Sequence, residues 1–299
     1  MTNEKWHNER RKGIGGSDIA AIMGLSPWRT PYQVYQEKRG EAEGFTGNEA
    51  TDWGIRLEPT IRQWYSDVTG RPVFRPEGIL RHKQYDYMIA NLDGYTEDRR
   101  VVEIKTARYG KGWGEPGTDA IPDYYALQVH HYMTITGYEV ADVAVSIGGA
   151  PPCLYEVEAD KEIAEAIIDA CATFWARVVE GRPPEPVNYA DAVARFGKAK
   201  AEGAMVASAG EVAIIDELKA IRAQLDVLKE QDEALKGRLI TSLGENADTM
   251  VDADGTALLT YKLSAGRKAF DTKAFQADHP NLYQKYLKTG EGSRRFLLK

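Results

Sequence analysis

The sequence predicts an α/β protein of the α+β kind: a mixed sheet flanked by helices, then a long C-terminal helix and a small β-hairpin tail. Three observations predict it. Helical and strand periodicities interleave as far as Gly181. A proline cluster, Pro183, Pro184 and Pro186, then breaks the pattern. Beyond it, apolar residues step by three and four between Glu211 and Leu243.

Gly15-Gly16-Ser17-Asp18 opens a short apolar helix, with Ser17 or Asp18 as N-cap and Gly24 as its stop. Pro27 and Pro31 frame a turn before a helix from Tyr32 to Arg39. Ile55, Ile61, Trp64 and Tyr65 mark an amphipathic helix from Trp53 to Val68, ended by Gly70. Antiparallel strands follow at Val73-Phe74, Gly78 to Leu80, Tyr87 to Leu92 and Arg100 to Lys105, the last two joined by a hairpin connection. Pro122 opens a helix that runs to Thr136, and Gly137 stops it. Strands at Ala141 to Ile147 and Leu154 to Val157 precede a helix from Asp160 to Glu180.

These elements divide the chain into a domain at 1–187, a linker at 188–210, a long helix or coiled coil at 211–243 and a small basic region at 244–299. In the long helix Leu218, Ile221, Leu225, Leu228, Asp232, Leu235 and Leu239 form an a/d seam. It suits either a self-associating coil, and hence a homo-oligomer, or a helix docked within the monomer. A hairpin around Asp254-Gly255 joins Thr249-Met250-Val251 to Ala257 through Lys262.

Composition excludes several classes. At 43% hydrophobic and 28% charged the 299 residues are those of a folded protein, not a disordered one. No apolar run approaches the roughly 18 residues that span a bilayer, and Met1 to Lys12 is polar, which predicts a cytoplasmic protein without membrane attachment. Two cysteines, Cys153 and Cys171, are too few for a disulfide framework or a four-cysteine metal site. The net charge of −7 argues against a uniformly basic surface. From Thr256 to Lys299, however, nine basic residues stand against three acidic ones.

The chemistry concentrates at Asp93-Gly94 and Glu103-Ile104-Lys105. Residues i and i+2 of a strand share a face, so Glu103 and Lys105 point one way and Ile104 points into the core. The short connection folds Asp93 back beside Glu103. Two carboxylates, with the Ile104 backbone carbonyl between Glu103 and Lys105, are an oxygen set suited to Mg²⁺. Lys105 would stabilise charge developing on a phosphate. Taken alone, Glu-x-Lys is a surface ion pair and Asp-Gly a turn. The joint order raises the chemical reading: a helix with Glu58, strand–Asp, strand–Glu-x-Lys, then a helix with Gln128.

That order resembles the PD-(D/E)XK nuclease core, and more narrowly the YqaJ-type viral recombinase nucleases, relatives of phage lambda exonuclease. The resemblance rests on Trp6-His7 with Arg10, Gly13 to Asp18, Trp53-Gly54 with Leu57-Glu58-Pro59, Leu92-Asp93-Gly94, Glu103-Ile104-Lys105-Thr106, and Pro122 with Tyr125 and Gln128. Where the family often has Gln-x-Gln-His, this chain reads Gln128-Val129-His130-His131, so Gln128 alone carries over. The resemblance implies a phage or prophage deoxyribonuclease using Mg²⁺, with Mn²⁺ as a substitute. It further implies a 5′-to-3′ exonuclease on duplex DNA ends, working in the host cytoplasm beside a single-strand annealing protein in recombination. By the same resemblance Asp93 and Glu103 are metal ligands, Glu58 an accessory carboxylate and Lys105 the catalytic lysine. Arg10 and Ser17 hold a DNA phosphate, and Gln128 lies near the active site. The alternatives are a structure-specific endonuclease with the same site and a non-catalytic DNA-end-binding adaptor.

Overall fold

The computed structural model describes residues 8–42, 47–200, 203–290 and 292–299. Trp6 and His7, part of the first block above, lie outside them. The chain divides into two compact units, Met1–Arg195 and Phe196–Lys299.

The first unit is built on a sheet of order β3-β4-β5-β6: β3 (Gly94–Tyr95), β4 (Arg100–Ala107), β5 (Val140–Ile147) and β6 (Cys153–Glu158). The neighbours pair antiparallel except β4 and β5, which run parallel in register from Arg100↔Val140 to Ala107↔Ile147. A parallel pair needs a crossover, and the helix Asp123–Thr136 supplies it. Side chains alternate between the faces. Val101, Val143, Val145, Tyr155 and Val157 pack with Ile19, Val129, Ile167 and Phe174 in the main core. Val102, Ile104 and Ala144 pack on the other face against Ile61 and Tyr65.

The helices are α1 (Gly16–Ile22), α2 (Pro31–Arg39), α3 (Glu49–Thr69), α4 (Asp123–Thr136), α5 (Lys161–Glu180) and α6 (Tyr189–Phe196). Among the described residues α3 packs on the second face, and α1, α4 and α5 pack on the first. Two expectations need correction. Gly15, not Ser17 or Asp18, caps α1, and Asp18 reaches back to accept the Gly15 N–H at 3.0 Å. The stretch expected as a connector carries α6, whose buried Asp191 accepts a bond from the Thr30 hydroxyl at 3.0 Å.

The early strands are shorter than expected. β1 (Leu80–Arg81) and β2 (Ile89–Ala90) make a two-stranded sheet, extended by Ile14, which bridges to Met88. Phe74, between Pro72 and Pro76, forms only a single bridge to Tyr95. Prolines offer no N–H to a ladder, which limits the pairing there.

Gly16 is needed where α1 crosses α4. A Cβ there would sit 2.5 Å from the Tyr132 ring and 2.9 Å from Gln128 Cγ. Gly16→Ala therefore pries the two helices apart and costs about 1–3 kcal/mol, read as a lower urea midpoint at an unchanged slope. An unchanged midpoint would contradict this packing.

The second unit holds α7 (Ala209–Leu243), β7 (Thr249–Val251) paired antiparallel with β8 (Ala257–Thr260), α8 (Thr272–Asp278) and α9 (Pro280–Tyr286). Ser208 caps α7 by accepting the Glu211 N–H. Ile221, Leu225, Leu228, Leu235 and Leu239 of the seam are exposed, and Asp232 is paired with Lys236 at 2.6 Å. Among the described residues no helix is long and apolar enough to cross a membrane.

Candidate active site

The turn into β4 brings the first carboxylate to the strand. Gly94 pairs with Val102, so a longer ladder would set residue 92 opposite Ile104. The Asp93 side chain takes that role instead: its Oδ2 accepts the Ile104 N–H at 2.9 Å. A strand residue's N–H and C=O share a side, so the Ile104 carbonyl also faces the Asp93 edge.

Strand alternation sends Glu103 and Lys105 to the opposite face from Ile104. That face is not open, because α4 lies on it. Glu103 is 2% exposed. Its Oε1 accepts from Lys105 Nζ and from Gln128 Nε2, the latter at 2.7 Å. Gln128 Nε2 also donates to the Tyr132 hydroxyl at 3.0 Å, while Gln128 Oε1 accepts from Lys105 at 3.3 Å. The amide thus fixes the acid and the lysine together. Lys105 Nζ further lies 4.9 Å from the Tyr125 ring centroid.

Among the described residues, Glu103 Oε2 is buried without a partner. Burial, with Asp93 and Glu58 nearby, pushes the Glu103 carboxyl up to about 8 against the pull of Lys105. Burial works against the Lys105 charge too, but Glu103 and Asp93 outweigh it and raise its pKa. Glu58 is likewise raised by burial and by Asp93. Its Oε1 is held by Arg62, one helical turn on.

The structure thus links Asp93, Ile104, Glu103, Lys105 and Gln128 through bonds, and Glu58 through the field alone. No three or more His, Cys, Asp or Glu side chains among the described residues form a group that could hold a metal ion. What remains is Asp93 beside the Ile104 carbonyl at the strand edge, with Glu103 on the face under α4 and near enough for the Asp93 charge to raise it. That fits Mg²⁺, which takes one or two carboxylates and keeps several waters. The partnerless Oε2 and the mutual repulsion of three acids point the same way.

Arg10 and Ser17 are also brought together: Arg10 Nη2 donates to Ser17 Oγ at 2.8 Å, and Ser17 is exposed. Beneath them lies a cluster that sequence reasoning missed. Asp18 is fully buried and binds Lys38 Nζ at 2.7 Å, Arg29 at 2.9 Å and Arg10 at 3.7 Å. Burial pulls its pKa up, yet those three cations hold the carboxyl far below the usual range. Lys38 is itself fully buried, and its Nζ also donates to the Arg10 carbonyl at 3.0 Å. The available signal was Lys38 on the apolar stripe of α2, one turn after Val34 and Tyr35.

The family model described as the YqaJ-like viral recombinase domain matches residues 5–139. The chain is 30% identical over 310 aligned positions to the uncharacterized protein YqaJ of Bacillus subtilis (strain 168), covering 100% of this chain and 95% of that one. Among solved structures it is similar to an alkaline exonuclease, LHK-Exo, from Laribacter hongkongensis. The TM-score is 0.50 at 22% identity, over 60% of this chain and 94% of that chain, and a complex of LHK-Exo with dAMP matches equally. The mixed sheet flanked by helices is accordingly the PD-(D/E)XK-like fold.

Proposed function

The chain belongs to the YqaJ-like viral recombinase family, and on that premise we propose that it is a divalent-metal-dependent deoxyribonuclease, a 5′-to-3′ exonuclease acting on duplex DNA ends. One observation carries the reading: a buried Glu103 with a partnerless Oε2 beside Lys105, and Asp93 bonded to the backbone between them. A structural ion pair has no need of a second and third acid in its field. The alkaline exonuclease fold, and the dAMP held by that neighbour, support the same chemistry.

Asp93, Glu103 and the Ile104 carbonyl would hold Mg²⁺, with Mn²⁺ as a substitute, and the bound ion supplies Lewis acidity toward water and the scissile phosphate. Lys105 keeps its proton and presents positive charge to the phosphate as its negative charge grows. Gln128 holds the paired Glu103 and Lys105 in place, because it bonds to both. Glu58 adds negative potential behind Asp93. Arg10 offers a bidentate fork and Ser17 an exposed hydroxyl to a DNA phosphate. The strand left unpaired would pass to a single-strand annealing protein.

Linear duplex labelled at the 5′ or the 3′ end tests the reading, with and without Mg²⁺ and beside covalently closed circles. Release from linear DNA only, with the ion only, is expected. Circles cut at the same rate would reject the exonuclease, and no cutting with any divalent ion would reject the nuclease.

The Glu103 carboxyl sets the pH dependence. With its pKa near 8 in the fold and near the ordinary carboxylate value unfolded, the ion-free native state binds the extra proton. Stability without the ion therefore falls as pH rises from about 4.5 to about 8. Ion binding must expel that proton, so divalent affinity rises over the same window. Calorimetry at pH 7 in two buffers of different ionisation heat measures the proton released; a heat independent of buffer would contradict it.

A further inference from the structure

We infer that Trp28 is a base-stacking platform for the DNA strand entering the Asp93–Glu103–Lys105 site. The inference rests on the nuclease reading and names a residue for which that reading has no role. Trp28 is 64% exposed, although it belongs to a tightly held turn. The Ser26 hydroxyl accepts the N–H groups of both Trp28 and Arg29 at 3.2 Å. Arg29 is anchored in turn by the buried Asp18 at 2.9 Å and by Glu37. Thr30 then caps α2. The backbone on both sides of the indole is thus fixed, and the large ring is left in solvent.

The ring is not alone. Its centroid lies 4.6 Å from that of Tyr124, edge to face, and 6.4 Å from that of Tyr125. Tyr124 and Tyr125 stand 4.5 Å apart at 70°. Tyr125 is the ring over which Lys105 Nζ lies. An aromatic row therefore leads from an exposed indole to the lysine of the site. On its other flank, Arg29 shares Asp18 with Arg10, which binds Ser17. Trp28 is thus tied to the site lysine through rings and to the phosphate-holding pair through a shared carboxylate. Edge contact with Tyr124 steadies the indole and leaves a π-face free. A flat face between backbone-holding cations and a reacting centre suits an unpaired nucleobase. Stacking on it is indifferent to sequence, since every base has a π-face.

The test uses the full-length protein carrying Asp93→Asn, so that DNA is bound and not cut. Oligonucleotides with one unpaired 5′ tail carry a single abasic site at each of the last positions in turn. Trp28→Ala should weaken binding of the intact oligonucleotide between about fivefold and a hundredfold, the worth of stacking on one base. Trp28→Phe should retain most of the affinity. Trp28→Leu, apolar but without a π-face, should behave as Ala. At one position the abasic site should weaken binding by the same factor and make Trp28→Ala neutral. In otherwise unaltered protein, Trp28→Ala should raise KM and leave kcat within about twofold. Leu matching Phe, or no abasic position that erases the difference, would overturn the inference while leaving the nuclease reading intact. A lowered thermal midpoint with unchanged affinity would overturn it too, as the mark of a packing role. Failure of the Asp93→Asn protein to bind any DNA would remove the nuclease reading and the platform with it.

Discussion

Asp93→Asn leaves a folded protein that no longer cuts DNA, with activity down at least about a hundredfold to a thousandfold. The substitution keeps the shape of the side chain, and the amide oxygen still accepts the Ile104 N–H now bonded at 2.9 Å. What it removes is the charge with which Asp93 would hold the proposed ion. The same charge raises the Glu103 carboxyl and the Glu58 carboxyl, so its loss relaxes both. Ion-free stability should therefore hold or increase while activity disappears, as expected where a site stores repulsion for a ligand. Rate on end-labelled duplex and a urea midpoint for the same preparation check both halves. A variant with full activity would remove Asp93 from the site; one that is inactive because it is unfolded would give it a structural role only.

Asp18→Ala carries the largest effect on stability. The carboxylate is the counter-charge for Lys38, whose side chain is fully buried, and for Arg29 and Arg10. Removing it leaves a buried ammonium facing the Arg10 carbonyl at 3.0 Å without its counter-charge. Breaking one partner of a buried pair costs about 3–5 kcal/mol. For a unit of this size that lowers the thermal midpoint by roughly 6–20 °C. Lys38→Met in the same chain should recover part of the loss, because no bare charge remains. The pH dependence has the opposite sense to that of Glu103. Asp18 is held low, so its stabilisation is complete above the ordinary aspartate pKa and fades as pH falls below it. Guanidinium or urea midpoints between pH 7 and pH 3 for both proteins test this: the difference must shrink on acidification.

How much was legible depends on what local pattern encodes. Strand alternation put Glu103 and Lys105 on one face and Ile104 on the other, and the structure agrees. It could not say what covers that face. The acid lies under α4 instead of at an open edge because residues 25 positions on in the chain, at Gln128, close over it. Asp18 at a Gly-Gly-Ser-Asp opening looks like a helix cap by local rules. Its real partners are 11 and 20 residues away, and only tertiary folding brings them. The helices α4 and α5 matched within a residue or two because proline, Asp160 and glycine punctuate them. The strands between Val73 and Leu92 did not, since β-rich composition without a continuous partner gives a two-residue pairing and isolated bridges.

The parallel pairing of β4 with β5 has a consequence for synthesis. Glu103 lies opposite Val143, with the whole of α4 threaded between them. A chain emerging from the ribosome at Ala107 already carries both acids and the lysine, but neither the amide that aligns Glu103 with Lys105 nor the strand that stiffens their support. On the proposed nuclease reading, cutting competence would arrive only after about half of the polypeptide is made.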